Sequence, residues 1–127
     1  MKKIVSGAFV ASIALCLSGI ASADSIIEAW TCEVADDKSI EDVQAINSKW
    51  LAWVNERVEG GDVKSAIGTS VVGNAEIFLF VDTYPDLATW AATKELLDSD
   101  EGDELDELFQ DVSECSENRL WKMEETK

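Results

Sequence analysis

The apolar positions change period along the chain, and the changes mark its elements. Ile26 to Val34 (IIEAWTCEV) is rich in β-branched and aromatic residues and reads as a strand. Asp36-Asp37-Lys38 is a turn. Ser39, with Asp42 three residues on, is a capped helix start. Ile40, Val43, Ile46, Trp50, Val54 and Val58 then recur at helical spacing, flanked by Trp53. Gly60-Gly61 ends this helix, because glycine takes the left-handed conformation without penalty. Lys64 to Val72 alternates loosely, Gly73-Asn74 signals a turn, and Glu76 to Tyr84 (EIFLFVDTY) is the strongest strand, so the pair reads as a hairpin. Pro85 suits the first turn of a second helix, whose stripe is Leu87, Trp90, Ala91, Lys94 and Leu97. Asp98 to Asp103 (DSDEGD) reads as an acidic loop, and beyond it Leu105, Leu108, Phe109 and Val112 mark a short third helix. Asn118 to Glu124 alternates as a last strand, and the residues to Lys127 are polar.

The order β-α-β-β-α-(α)-β is the ferredoxin-like split βαβ, an α+β fold. Right-handed crossovers in both halves give a four-stranded antiparallel sheet ordered 4-1-3-2, with the helices on one face. Strands 1 and 4 are then neighbours, and the end of the first meets the start of the last. Cys32 and Cys115 fall at those two places, so a disulfide between them is expected. Both faces of the sheet read as apolar. Ile77, Leu79 and Val81 share one face of strand 3, and Phe78, Phe80 and Tyr84 the other; strand 1 puts Trp30 opposite to Ile27 and Ala29. Helices cover one face only, so a second subunit is the expected cover for the other.

Residues 1–23 read as a secretory signal: Lys2 and Lys3, an uncharged apolar run from Ile4 to Ile20, then Ala21-Ser22-Ala23 as an A-x-A cleavage site. Cys16 leaves with it. The mature domain is residues 24–127, periplasmic or secreted, with no membrane span after cleavage. Removing 23 of 127 residues leaves 104 and takes two lysines but none of the 26 acidic residues, so the net charge moves from −16 to −18. Such a surface disfavours nucleic acid and anionic lipid as partners. The absence of histidine removes the commonest metal ligand and general base. With both mature cysteines bonded, chemistry is restricted to carboxylates, Lys, Tyr, Arg or a borrowed cofactor. The acidic group Asp98, Asp100, Asp103, Glu104 and Asp106 fails the calcium-loop pattern, since the sixth and twelfth positions from Asp98 are Asp103 and Phe109. An acidic helix start explains it as well. No metal and no cofactor are expected.

From Ile26 to Glu124 the chain resembles the dimeric α+β barrel superfamily, in which two ferredoxin-like subunits pack sheet to sheet. That superfamily includes antibiotic-biosynthesis-type monooxygenases and stress-responsive barrel proteins. The resemblance lies in element order and patterning, including the junction Tyr84-Pro85-Asp86-Leu87 through Trp90. Two departures stand out. The histidine common in barrel enzymes acting on haem is absent, and export with a cysteine pair is atypical of the cytoplasmic enzymes.

Asn47 interrupts the apolar stripe of the first helix, between Val43, Trp50 and Val54. Either it bonds a backbone group or buried water, or it is a polar contact in a ligand pocket lined by Trp50 and Trp90. The five tryptophans, among them Trp30 and Trp121 as candidate neighbours on strands 1 and 4, are either core and interface or the walls of an aromatic pocket. Tyr84 is a candidate proton donor or a packing residue, and Arg119 is either a partner for Glu33 or Glu117 or a binder of an anion or substrate carboxylate. The expectation is an exported homodimer that binds a small apolar or aromatic ligand and is not an enzyme. One alternative is a cofactor-independent monooxygenase-like enzyme; another is a structural acidic dimer that meets a cationic partner.

Overall fold

The computed structural model describes residues 24–127, so the signal-like segment 1–23 and Cys16 lie outside the described residues. Strand β1 (Ser25–Val34) leads to helix α1 (Ile40–Arg57), the hairpin β2 (Lys64–Thr69) and β3 (Ile77–Tyr84), helices α2 (Leu87–Leu97) and α3 (Asp100–Val112), and strand β4 (Ser113–Met123). The sheet is antiparallel in the order β2-β3-β1-β4, which is the 4-1-3-2 order expected from the crossovers.

Local chemistry sets the boundaries. The Ser39 hydroxyl accepts from the Asp42 backbone N–H while the Asp42 carboxylate accepts from the Ser39 N–H, a complete capping box on α1. The chain leaves α1 through Gly60 at φ +83° and Gly61 at φ +54°, the left-handed region where a side chain is strained. Pro85 lies one residue before the cap of α2 rather than in its first turn, because Asp86 is the cap and accepts from Thr89. The buried position of α2 is Thr93, with Trp90, Leu96 and Leu97 half-buried beside it; Leu87 and Ala91 face solvent, so the inward stripe is rotated from the expected one. The acidic stretch is not a loop. Ser99 caps α3, and Asp100, Glu101 and Asp103 form its first turn, where negative charge is favourable.

Inward-facing residues form two apolar clusters between sheet and helices. One holds Ile26, Trp50, Val54, Val58, Val63 and Tyr84; the other holds Cys32, Val43, Phe78, Phe80 and Val112. The rings of Phe78, Phe80 and Phe109 pack edge to face at 5.0 and 5.4 Å. Cys32 and Cys115 are bonded across β1 and β4, 83 residues apart in sequence. Beside them β4 carries a bulge: Glu117 pairs with Thr31 and Cys115 with Cys32, which leaves Ser116 without a partner position. Beyond the bulge Trp121 pairs with Ile27 on the face without helices, whereas Trp30 faces the helices, so these two tryptophans lie on opposite sides of the sheet. The helix-free face carries Ile27, Ala29, Leu79, Val81, Trp121 and Met123. Leu79, Trp121 and Met123 remain 37%, 48% and 47% exposed there.

Gly102 sits where α3 crosses the end of α2, and a Cβ added to it would overlap the backbone of Leu97. Gly102→Ala is therefore expected to cost about 2–3 kcal/mol through forced separation of the two helices. Urea unfolding reads this as a lower midpoint with unchanged slope; an unchanged midpoint would refute the close approach.

Candidate functional site

A cavity of about 270 Å³ lies between the sheet and the three helices. Both apolar clusters contribute to it. Trp30, Trp50, Phe80 and Phe109 supply aromatic walls, Leu97 and Leu105 aliphatic ones, and the polar lining includes Asn47, Asp82, Lys94, Asp106 and Gln110. Cys115 of the disulfide also reaches the wall.

The polar groups are ordered by strand pleat and helix phase. Asp82 alternates in phase with Phe78, Phe80 and Tyr84, so it points toward the helices. Ser65 is its register partner on β2, and Glu28 its partner on β1. Asn47 Nδ2 donates to Ser65 Oγ at 2.8 Å, and Ser65 Oγ donates to Asp82 Oδ1 at 2.5 Å. Asp82 is 6% exposed. Burial pushes its carboxyl up to about 6, against the lowering effect of the Ser65 hydrogen bond; the negative charge of Glu28 raises it further and Lys94 lowers it.

Glu28 forms a second knot beside the first. Its Oε2 accepts from Lys94 Nζ at 2.6 Å and from Trp90 Nε1 at 3.2 Å, and its Oε1 accepts from Asn118 Nδ2 at 3.0 Å. The Lys94 ammonium also lies 5.6 Å from the Trp30 ring centre and 5.9 Å from that of Trp90. Every formal charge of this knot is thus answered locally.

Of the four residues singled out in the sequence, the structure puts Asn47 and Trp50 at the cavity wall. Trp90 stands behind it, bonded to Glu28, and Tyr84 is fully buried away from it. The Tyr84 hydroxyl has no hydrogen-bond partner among the described residues. Burial, followed by the nearby negative charges of Asp82 and Glu28, holds it well above the ordinary tyrosine range. Sequence reasoning missed Glu28, Ser65, Asp82 and Lys94 as a set. Their signal was parity: Glu28 shares its phase with Ile26 and Trp30, and Asp82 shares its phase with three aromatic residues. Arg119 pairs with Glu117, away from the cavity. Among the described residues no group of three or more His, Cys, Asp or Glu is placed to hold a metal ion, and no helix is long and apolar enough to cross a membrane.

No protein-family model matches the chain, and no curated protein matches it. Solved structures do. A mutant form of SnoaB, a cofactor-independent oxygenase from Streptomyces nogalater, superimposes with a TM-score of 0.61 at 12% identity, over 82% of this chain and 97% of that one. A NIPSNAP family protein from Agrobacterium tumefaciens gives 0.58 at 15% identity, over 81% and 89%. A conserved protein of unknown function from Bacteroides thetaiotaomicron gives 0.55 at 13% identity, over 80% and 100%. At such identities the likeness speaks for the fold: this chain is a ferredoxin-like α+β domain.

Proposed function

We propose that the mature protein is an exported homodimer that binds a small, flat, largely apolar ligand between its sheet and its helices. The carrying observation is the cavity, with four aromatic side chains in its wall and the polar groups Asn47, Asp82 and Gln110 set among them. Apolar walls with a few placed polar groups are the usual composition of a small-molecule site. At about 270 Å³ the space suits one or two rings, below the size of a typical drug-sized pocket. The exposed Leu79, Trp121 and Met123 on the helix-free face support a second copy as its cover. The Cys32–Cys115 bridge fits an oxidising compartment.

Native mass spectrometry of protein recovered from the envelope of its own cells tests both parts. The expected species is a dimer carrying a removable mass. A monomer at micromolar concentration would overturn the dimer. A dimer without adduct that also binds no one- or two-ring aromatic compound by calorimetry would overturn the ligand site.

A second reading, a cofactor-independent oxygenase, is supported by the fold likeness to SnoaB together with Asn47 and Trp50 at the cavity wall. Oxygen uptake separates the two. An enzyme consumes oxygen and converts the compound released from the cavity, whereas a binding protein returns it unchanged.

A further inference from the structure

The charges around the cavity are unbalanced. Among its described lining residues Lys94 supplies the one cation, and its Nζ is already 2.6 Å from Glu28, whose side chain is 3% exposed. Asp82 and Asp106 are left as carboxylates without a cationic partner at the wall. The hydrogen-bond chain also has a direction. It runs from Asn47 Nδ2 through Ser65 Oγ to Asp82 Oδ1, so its acceptor end is the buried carboxylate at the cavity wall. An anion entering here meets a carboxylate and a lysine that is taken. A divalent metal ion lacks a cluster of ligands among the described residues.

The walls point the same way. Aromatic faces carry negative potential and attract cations, and desolvation strengthens that attraction. Trp30, Trp50, Phe80 and Phe109 offer four rings. The large acidic excess of the domain adds a long-range field of the same sign, which raises the local concentration of cations.

We propose that the cavity selects an organic ammonium ion, a protonated arylalkylamine whose nitrogen is held at Asp82 and whose ring lies among Trp30, Trp50, Phe80 and Phe109. This deepens the ligand-binding reading and rests on it. The groups around Asp82 are Glu28 from β1, Ser65 from β2, Tyr84 on its own strand, Asn47 from α1 through Ser65, and Lys94 from α2, while Asp106 from α3 lines the same cavity. Glu28 is paired with Lys94, the Tyr84 hydroxyl stays protonated, and burial pushes the Asp82 carboxyl up to about 6, so the charge of Asp82 changes near neutral pH. A bound ammonium supplies the counter-charge that this buried carboxylate lacks.

Three probes of nearly one shape make the test: phenethylamine, 2-phenylethanol and phenylacetate, titrated calorimetrically into the mature protein at pH 7.5. Phenethylamine is expected to bind at least about tenfold more tightly than the alcohol, with phenylacetate weakest. At pH 5 the Asp82 carboxyl, held up to about 6 by burial, takes a proton. The advantage of the amine should then shrink several-fold while the alcohol is unaffected. Asp82→Asn should abolish the advantage at pH 7.5; if that variant fails to fold, the pH series on the unaltered protein decides. Equal binding of amine and alcohol, or preference for phenylacetate, would overturn the charge selectivity and leave the ligand site standing. No binding by any of the three would overturn both.

Discussion

Replacing Lys94 by methionine is expected to destabilise the protein by about 3 kcal/mol, because it strands a buried carboxylate without its counter-ion. Glu28 is 2% exposed and accepts from Lys94, Trp90 and Asn118. Two of those three donors are neutral and survive the substitution, but neither cancels the charge. Lys94 itself is partly exposed, which places the effect at the lower end of the range for broken buried pairs. Adding Glu28→Gln should recover most of the loss, since the amide oxygen still accepts from Trp90 or Asn118 and no charge remains to be matched. Urea unfolding at neutral pH of the two single variants and the double variant measures the coupling directly. A double variant no more stable than Lys94→Met alone would show that the ion pair is not what holds this corner.

Removing the disulfide is expected to have an effect of similar size. With its ends 83 residues apart in sequence, the bridge restricts the unfolded chain by a nominal 4–5 kcal/mol, and about 2–5 kcal/mol is the usual loss when such a bond is removed from a small secreted domain. Cys32→Ser with Cys115→Ser should therefore lower Tm by roughly 15 °C, given the sensitivity of a domain of this size. Reductant should do the same to the parent protein and nothing to the double variant. A parent Tm indifferent to reductant would show that the bond contributes little to the native state. Cys115 also lines the cavity, so ligand affinity should weaken along with stability.

Much of the fold was legible because its signals are local. The Ser39–Asp42 box, the left-handed Gly60-Gly61 and the phase of Phe78, Phe80 and Tyr84 each act over a few residues, and the two cysteines at facing strand ends tie the first strand to the last. The element order followed from these, and the sheet order from handedness. Three features were not legible. The α3 to β4 junction has no turn residue: the helix runs to Val112 and the strand begins at Ser113, so the strand starts before its alternating part. The inward face of α2 centres on Thr93, a polar residue that a hydrophobic stripe passes over. The Asn47–Ser65–Asp82 chain joins three elements through pairing that only the assembled sheet supplies. Asn47 stands out in the sequence because it breaks an apolar stripe; Asp82 breaks the aromatic phase of β3 in the same way, but in a single position of a short strand that break does not single it out.

The bulge at Ser116 bears on how the edge strand finds its place. Apart from Ser113, β4 is exposed along its length, so packing on its own chain does little to distinguish one alignment against β1 from another two residues away that presents the same faces. The sulfur atoms do distinguish them. Cys115 stands opposite Cys32 only when the strand has stopped at the observed position and Ser116 has been pushed out of the ladder. A chain slipped by two residues would carry its thiols past bonding reach. Formation of the bond is therefore tied to this one register: it is open to a chain that has aligned and closed to one that has slipped.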